Sequence, residues 1–326
     1  MQPRSLTPEQ VRFFHDEGYL ILNDLFPPQD LEPLKREMAD QIDQCVRRLS
    51  DEGKIGNLHA TEPFETRLAR IHADSADNGK AIIRDLEGVA GGGFTGREMF
   101  NLIRHPNILA AIESIVGPEI VGSSVYRVRP KVPGRTLGVV PWHQDSGYFE
   151  RLCDTHTIVT CWVPLVDANV RNGCMQILPR SHKRGILTHH TGGNAGFLVI
   201  EDQDLPTDVP PPVTAEVRAG GIVLMTNLTP HSSTPNHMDH VRWSVDLRYQ
   251  SADAPNNVGL LPDIEEEPTG EVLMACYPPE ADFIVQSRRD PARVTSYETY
   301  VQRRNHFDAV KNKVYPRRGW KPMGTA

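Results

Sequence analysis

The main change in the spacing of apolar residues falls near residue 120. Up to about residue 118 the spacing is helical, and from Ile120 it alternates as in strands. Thr7-Pro8-Glu9-Gln10 reads as a capping box with proline at the first helical position. It predicts a helix through Val11, Phe13 and Phe14 that Gly18 stops. Tyr19-Leu20-Ile21-Leu22 reads as a short strand. Pro27-Pro28 opens a second helix with Leu31, Leu34, Met38 and Ile42 on one face. Residues 50–94 carry little pattern. Gly91-Gly92-Gly93 lacks the Gly-Lys-Ser/Thr and the preceding strand of a phosphate cradle, so it predicts a loop near the mouth of a site. Arg97 to Arg104 and Pro106 to Val116 read as helices, and Gly117-Pro118 ends the second.

Beyond Ile120 the strand signals follow one another. Val121 to Arg129 alternates, and Pro130, Pro133 and Gly134 are expected to break it. Leu137 to Trp142 leads into His143-Gln144-Asp145. Further strands are expected at Thr155 to Val166, Met175 to Leu178, Ile186 to Thr188, Val213 to Arg218, Ile222 to Thr226 and Val241 to Tyr249. About eight strands suit a jelly-roll-like double sheet. Residues 251–285 are rich in Pro, Asp and Glu and read as a surface segment. Val294 to Asn312 reads as a helix.

Composition narrows the class. The chain has 326 residues and a net charge of −7, which argues against a nucleic-acid footprint. Five scattered cysteines without a Cys-x-x-Cys argue for a reducing compartment and against a disulfide framework or thiolate zinc site. The N-terminus has no apolar signal region, and no run of about 18 apolar residues would span a membrane. The expectation is a cytoplasmic protein with no membrane or nucleic-acid partner.

The candidate chemistry centres on His143 and Asp145. Side chains two apart on a strand share a face, so the pair aims an imidazole and a carboxylate at one point. A second imidazole would complete the 2-His-1-carboxylate face of a non-haem Fe(II) site. Of thirteen histidines, His231 is favoured, because it sits between the strand ending at Met225 and the strand from Val241. His189 and His190 are adjacent, so on a strand they cannot both ligate one ion. His182 follows a turn and suits a structural role, and His237 and His240 flank a polar turn. Arg242 and Arg248 share a strand face, and either guanidinium fork suits a carboxylate.

These residues resemble the phytanoyl-CoA dioxygenase family of Fe(II)/2-oxoglutarate oxygenases. The resemblance spans roughly Leu6 to Tyr249. It rests on His143-Gln144-Asp145, on Cys161-Trp162-Val163-Pro164-Leu165, and on Asn172-Gly173-Cys174-Met175-Gln176 continuing to Pro179-Arg180-Ser181-His182-Lys183. His231 followed eleven residues later by Arg242 completes it. It implies a mainly β fold with flanking helices, a double-stranded β-helix (cupin-like) core with N-terminal and C-terminal helices. The expected organisation is one oxygenase domain over 1–326: a helical layer at 1–118, the core at 119–250 and an extension at 251–326.

The resemblance further implies His143, Asp145 and His231 on Fe(II), and Arg242 on the distal carboxylate of 2-oxoglutarate. Ser233 would add a hydroxyl to that carboxylate. Trp162 and Tyr126 would wall the co-substrate pocket. Lys131, Ser146, Tyr148 and Arg248 are further candidate pocket residues, for substrate. The implied reaction consumes O₂ and hydroxylates an unactivated C–H of a small molecule, releasing succinate and CO₂. Desaturation, cyclisation and epimerisation stay open as outcomes of the same chemistry, as does a non-catalytic metal- or ligand-binding barrel. Asp145 argues against halogenation, because halogenating members lack that carboxylate.

Overall fold

The computed structural model describes residues 3–87, 94–134, 138–149, 151–193, 196–254, 283–310 and 318–324. In chain order the elements are α1 (Pro8–Glu17), β1 (Tyr19–Leu22), α2 (Glu32–Asp51), α3 (Phe64–Asp74), α4 (Ala76–Glu87), α5 (Arg97–Ile103) and α6 (Pro106–Val116). Then come β2 (Ile120–Gly122), β3 (Arg127–Lys131), β4 (Ile158–Pro164), β5 (Met175–Ile177), β6 (His190–Thr191), β7 (Val213–Ala215) and β8 (Ile222–Thr226). The chain continues with β9 (His231–Ser233), β10 (Arg242–Ser251), β11 (Phe283–Gln286), α7 (Tyr297–Val310) and β12 (Lys321–Pro322). Among the described residues no helix is long and apolar enough to cross a membrane.

Two antiparallel sheets face each other as a double-stranded β-helix. The larger has the order β1-β8-β4-β10-β2-β11, with β3 also paired to β10. The smaller is β7-β5-β9. Two-residue alternation sorts the larger sheet's side chains. Val128, Val159, Cys161, Val163, Trp243, Val245, Leu247 and Tyr249 join the helices in the main core. Phe64 of α3 stacks on Trp243 at 4.8 Å, and the Tyr249 hydroxyl donates to Ile103 O at 2.8 Å. Truncating a ring buried like Trp243 costs about 3–5 kcal/mol. The opposite face of β10 carries Arg242, Ser244, Asp246 and Arg248, and that of β3 carries Arg129 and Lys131. Between the sheets a second core of Trp162, Met175, Ile177, Val223 and Met225 fills one end.

Several expectations hold locally. Thr7 and Gln10 form the reciprocal cap of α1, and Gly18 ends that helix at φ 83°. Others change. Residues 50–94 contain two helices, α3 and α4, which bury Leu68, Ile71, Ile82, Ile83 and Leu86. The alternating run from Val121 divides into β2 and β3, because Ser123 Oγ accepts from Val125 N and turns the chain between them. Pro130 does not break β3. Among the described residues β3 pairs with β10 alone, and an edge strand tolerates a missing N–H. In place of the strand expected at Ile186 to Thr188, the chain pairs at His190–Thr191. The larger sheet also draws β1 and β11 from outside 119–250. Gly91-Gly92-Gly93 and most of 251–285 lie outside the described residues.

Candidate active site

His143, Asp145 and His231 come together between the sheets, with one ligand atom from each lying within 4.8 Å of the others. The two histidines face each other across a β-bridge, His143 N to His231 O at 3.1 Å and His231 N to His143 O at 2.9 Å. Directly opposed residues point to the same side, and the rings lie 4.2 Å apart. Asp145 reaches them by another route than the shared strand face expected from the sequence. It opens a 3-10 turn, Asp145–Tyr148, that swings its carboxylate to 4.0 Å from His143 Nε2.

Each ligand candidate is oriented from behind. His143 Nδ1 donates to Pro141 O and His231 Nδ1 to Thr229 O, both at 2.9 Å. This leaves each Nε2 lone pair facing the common point, the arrangement a metal-binding imidazole needs. Burial, reinforced by the neighbouring His231, pushes the His143 imidazole well below its usual pKa and keeps it neutral. Burial alone would raise the Asp145 carboxyl. The Arg248 guanidinium, by its charge and its hydrogen bonds, outweighs it and holds the group well below the usual carboxylate range. Arg248 Nη2 donates to Oδ1 at 2.9 Å and Nε to Oδ2 at 3.2 Å, while the Thr160 hydroxyl also donates to Oδ2. Gln144 anchors the loop between the ligands. Its amide donates to Gly185 O and Leu228 O and accepts from Leu187 N.

The triad opens onto a cavity of about 300 Å³ lined also by Lys131, Thr160, Trp162, Ser233, Arg242 and Arg248. Arg242 is buried against Trp162, with 5.3 Å from its guanidinium carbon to the ring centre, and donates to the Ser244 hydroxyl. Its Nε has no partner, and among the described residues no carboxylate pairs with it. Burial lowers its pKa to about 10, partly offset by Asp246. Lys131 donates to Ser233 Oγ at 2.7 Å and to Thr234 O, and burial beside Arg242 brings it down to about 6. Ser233 Oγ also accepts from Val140 N, so its own hydroxyl hydrogen is left for another partner.

Three other sequence candidates lie elsewhere. Tyr126 does not line the cavity. Strand alternation turns it to the helix side with Val128, where its hydroxyl meets Phe94 O and Tyr300 Oη. Ser146 is buried behind the triad and accepts from Asn227 Nδ2 at 2.8 Å. Tyr148 packs edge-to-face with His143, 6.0 Å between ring centres, and its hydroxyl accepts from Leu198 N. Arg248 does face the cavity, but its fork is spent on Asp145 and it also donates to Val125 O. Among the other histidines, His189 is fully buried and accepts from Gln144 N, while His190 pairs with Asp204 at 2.8 Å. Thr160 carries no local signal in the sequence, and nothing near Gln144 or His189 marks their supporting roles, although Gln144 is the middle residue of His143-Gln144-Asp145 and His189 is one of the rival histidines.

A double-stranded β-helix holding two histidines and an aspartate, with a buried arginine across the cavity that no carboxylate pairs among the described residues, defines the non-haem iron oxygenase class. The phytanoyl-CoA dioxygenase (PhyH) family model matches residues 14–244, and the chain belongs to that family. It is an Fe(II)/2-oxoglutarate-dependent dioxygenase. Similar proteins include phytanoyl-CoA dioxygenase of Arabidopsis thaliana, 26% identical over 285 residues, covering 79% of this chain and 98% of the relative. Peroxisomal phytanoyl-CoA dioxygenase of Homo sapiens is 23% identical over 254 residues, covering 76% and 69%. In fold the chain resembles the apo form of the non-heme monooxygenase ThoJ, with TM-score 0.52, 18% identity, and coverage of 93% of this chain and 100% of that one.

Proposed function

We propose that this dioxygenase hydroxylates a C–H bond of a small-molecule substrate, with Fe(II) held by His143, Asp145 and His231. The donor set fits the ion: two imidazoles with anchored Nδ1 atoms and one carboxylate kept ionised. Arg242 holds the distal carboxylate of 2-oxoglutarate, assisted by the Ser233 hydroxyl and Lys131, while Trp162 shields the pair from water. The observation that carries the reading is the buried Arg242, without a carboxylate partner among the described residues, facing the triad across one cavity. When bound, iron and 2-oxoglutarate supply O₂ activation, so that the substrate gains hydroxyl as 2-oxoglutarate becomes succinate and CO₂.

The chain's own groups supply the rest. Arg248 and Thr160 keep Asp145 ionised and fixed, so the carboxylate stays in place as charge changes at the centre. The Nδ1 hydrogen bonds of His143 and His231 hold both rings with Nε2 toward the cavity. A reducing, cytoplasmic setting is supported by the scattered cysteines, of which 45, 161 and 174 are free and buried.

The test uses purified apo protein with Fe(II), 2-oxoglutarate and O₂. Slow succinate release is expected even without a prime substrate, and none with Zn(II). Equal release with Zn(II), or no release with iron, would remove the reading.

A further inference from the structure

We propose that residues 318–324, near the C-terminus and outside the family match at 14–244, form a strap that positions the Asp145 loop, with Trp320 and Arg318 as its positioning residues. The inference rests on Asp145 being a metal ligand. Trp320 Nε1 donates to Gly147 O at 2.9 Å, two residues beyond Asp145. Its ring packs 5.1 Å from that of His189, which in turn accepts from the backbone N of Gln144 at 3.0 Å. A Cβ on Gly147 would come within 2.6 Å of His189 Nε2, so loop and imidazole are already in close contact beneath the indole. One tryptophan therefore bears on both sides of the Gln144–Asp145 peptide, directly through Gly147 and indirectly through His189.

Arg318 holds the far end of the same loop. Its side chain is 5% exposed, and it forks onto Asp154, Nη1 to Oδ2 and Nη2 to Oδ1, both at 2.7 Å. Its Nε donates to Phe149 O at 2.7 Å. Past Trp320 the segment is fastened by β12 pairing with β6, by Met323 N to Thr191 O at 3.0 Å, and by Gly324 N to Glu201 Oε1 at 3.1 Å. From within the core, Asn227 Nδ2 ties Ser146 Oγ and Cys153 O, and Asn227 O accepts from Ser146 N. The turn carrying Asp145 is thus clamped between Asn227 inside and the strap outside. Outer groups that orient metal ligands typically change metal affinity by about 10–100-fold when removed.

The discriminating variant is Trp320→Phe in the full chain, which keeps an aromatic ring on His189 and deletes the N–H donated to Gly147 O. Two readouts are compared with wild type. One is hydrogen exchange of a peptide covering residues 144–149 in the apo protein. The other is the anaerobic Fe(II) dissociation constant. Exchange should quicken about tenfold or more and the Fe(II) constant should rise about tenfold, with the thermal midpoint within about 2 °C of wild type. Arg318→Ala should act in the same direction, and Arg318→Lys should recover part of the affinity. Unchanged exchange, or faster exchange with unchanged Fe(II) affinity, overturns the strap. A loss of affinity that merely follows a fall in global stability also overturns it. Because wild type is titrated first, failure of the metal assignment itself appears in the unaltered chain.

Discussion

Arg248 grips both oxygens of Asp145 in a buried fork, with side chains 7% and 4% exposed. The two residues lie 103 positions apart in the chain. The contact moves Arg248 from the pocket's substrate side to support of the metal face.

Arg248→Ala should therefore act on iron and fold. Breaking a buried pair from one side costs about 3–5 kcal/mol, because the other charge is left uncompensated. Urea unfolding of the apo variant should show a loss of that order, partly recovered by Fe(II), which compensates the Asp145 charge. Titration of 2-oxoglutarate at saturating Fe(II) should give a nearly unchanged constant. A large rise there would return Arg248 to co-substrate binding.

Arg242→Ala should do the reverse. Truncating one partner of a desolvated charge pair costs about 2–5 kcal/mol. At about 1.4 kcal/mol per tenfold, 2-oxoglutarate should weaken by roughly 30- to several thousand-fold. Arg242→Lys should retain part of the affinity, because the charge survives and the fork does not. Iron binding without co-substrate should change little. The check is the apparent 2-oxoglutarate constant measured from succinate formation.

Lys131 gives the site a pH signature. Its pKa is lowered to about 6 in the fold, chiefly by burial and then by Arg242, and returns to about 10.4 in the unfolded chain. Above pH 6 the unfolded state therefore binds more protons than the native state, and stability rises with pH. The penalty is fully present below about pH 6 and fades as pH rises toward 10. Relative to Lys131→Met, the apo wild type should gain up to about 1.4 kcal/mol of stability per pH unit between pH 6.5 and 9. Urea unfolding at three pH values measures the slope. Saturating 2-oxoglutarate should flatten it, since a carboxylate beside Lys131 favours the protonated amine. A flat slope would mean that Lys131 stays charged in the apo cavity.

The strands and two of the ligand candidates were legible because they are local. The period-two pattern of β10 and the short apolar, β-branched runs of β4 and β8 mark the sheet, and His143-Gln144-Asp145 sits in a short recognisable run. What was not legible depends on contacts between distant segments. Nothing near Arg248 announces Asp145, and nothing near Trp320 announces Gly147. The helices α3 and α4 are hard to read because Ser75 alone separates them and Gly79 interrupts the second, although Pro63 precedes α3 and Gly88 follows α4. Tyr126 was misplaced by one step of strand alternation, which sends a side chain to the opposite face of the sheet.

The most direct test of the central claim is an anaerobic titration of the apo protein with Fe(II) in the presence of 2-oxoglutarate. A weak visible charge-transfer band should grow to saturation at one Fe(II) per chain, require 2-oxoglutarate, and be absent from Asp145→Ala and His231→Ala variants that keep a folded circular-dichroism spectrum. A band of undiminished strength in either variant would contradict the assignment of His143, Asp145 and His231 as the iron site.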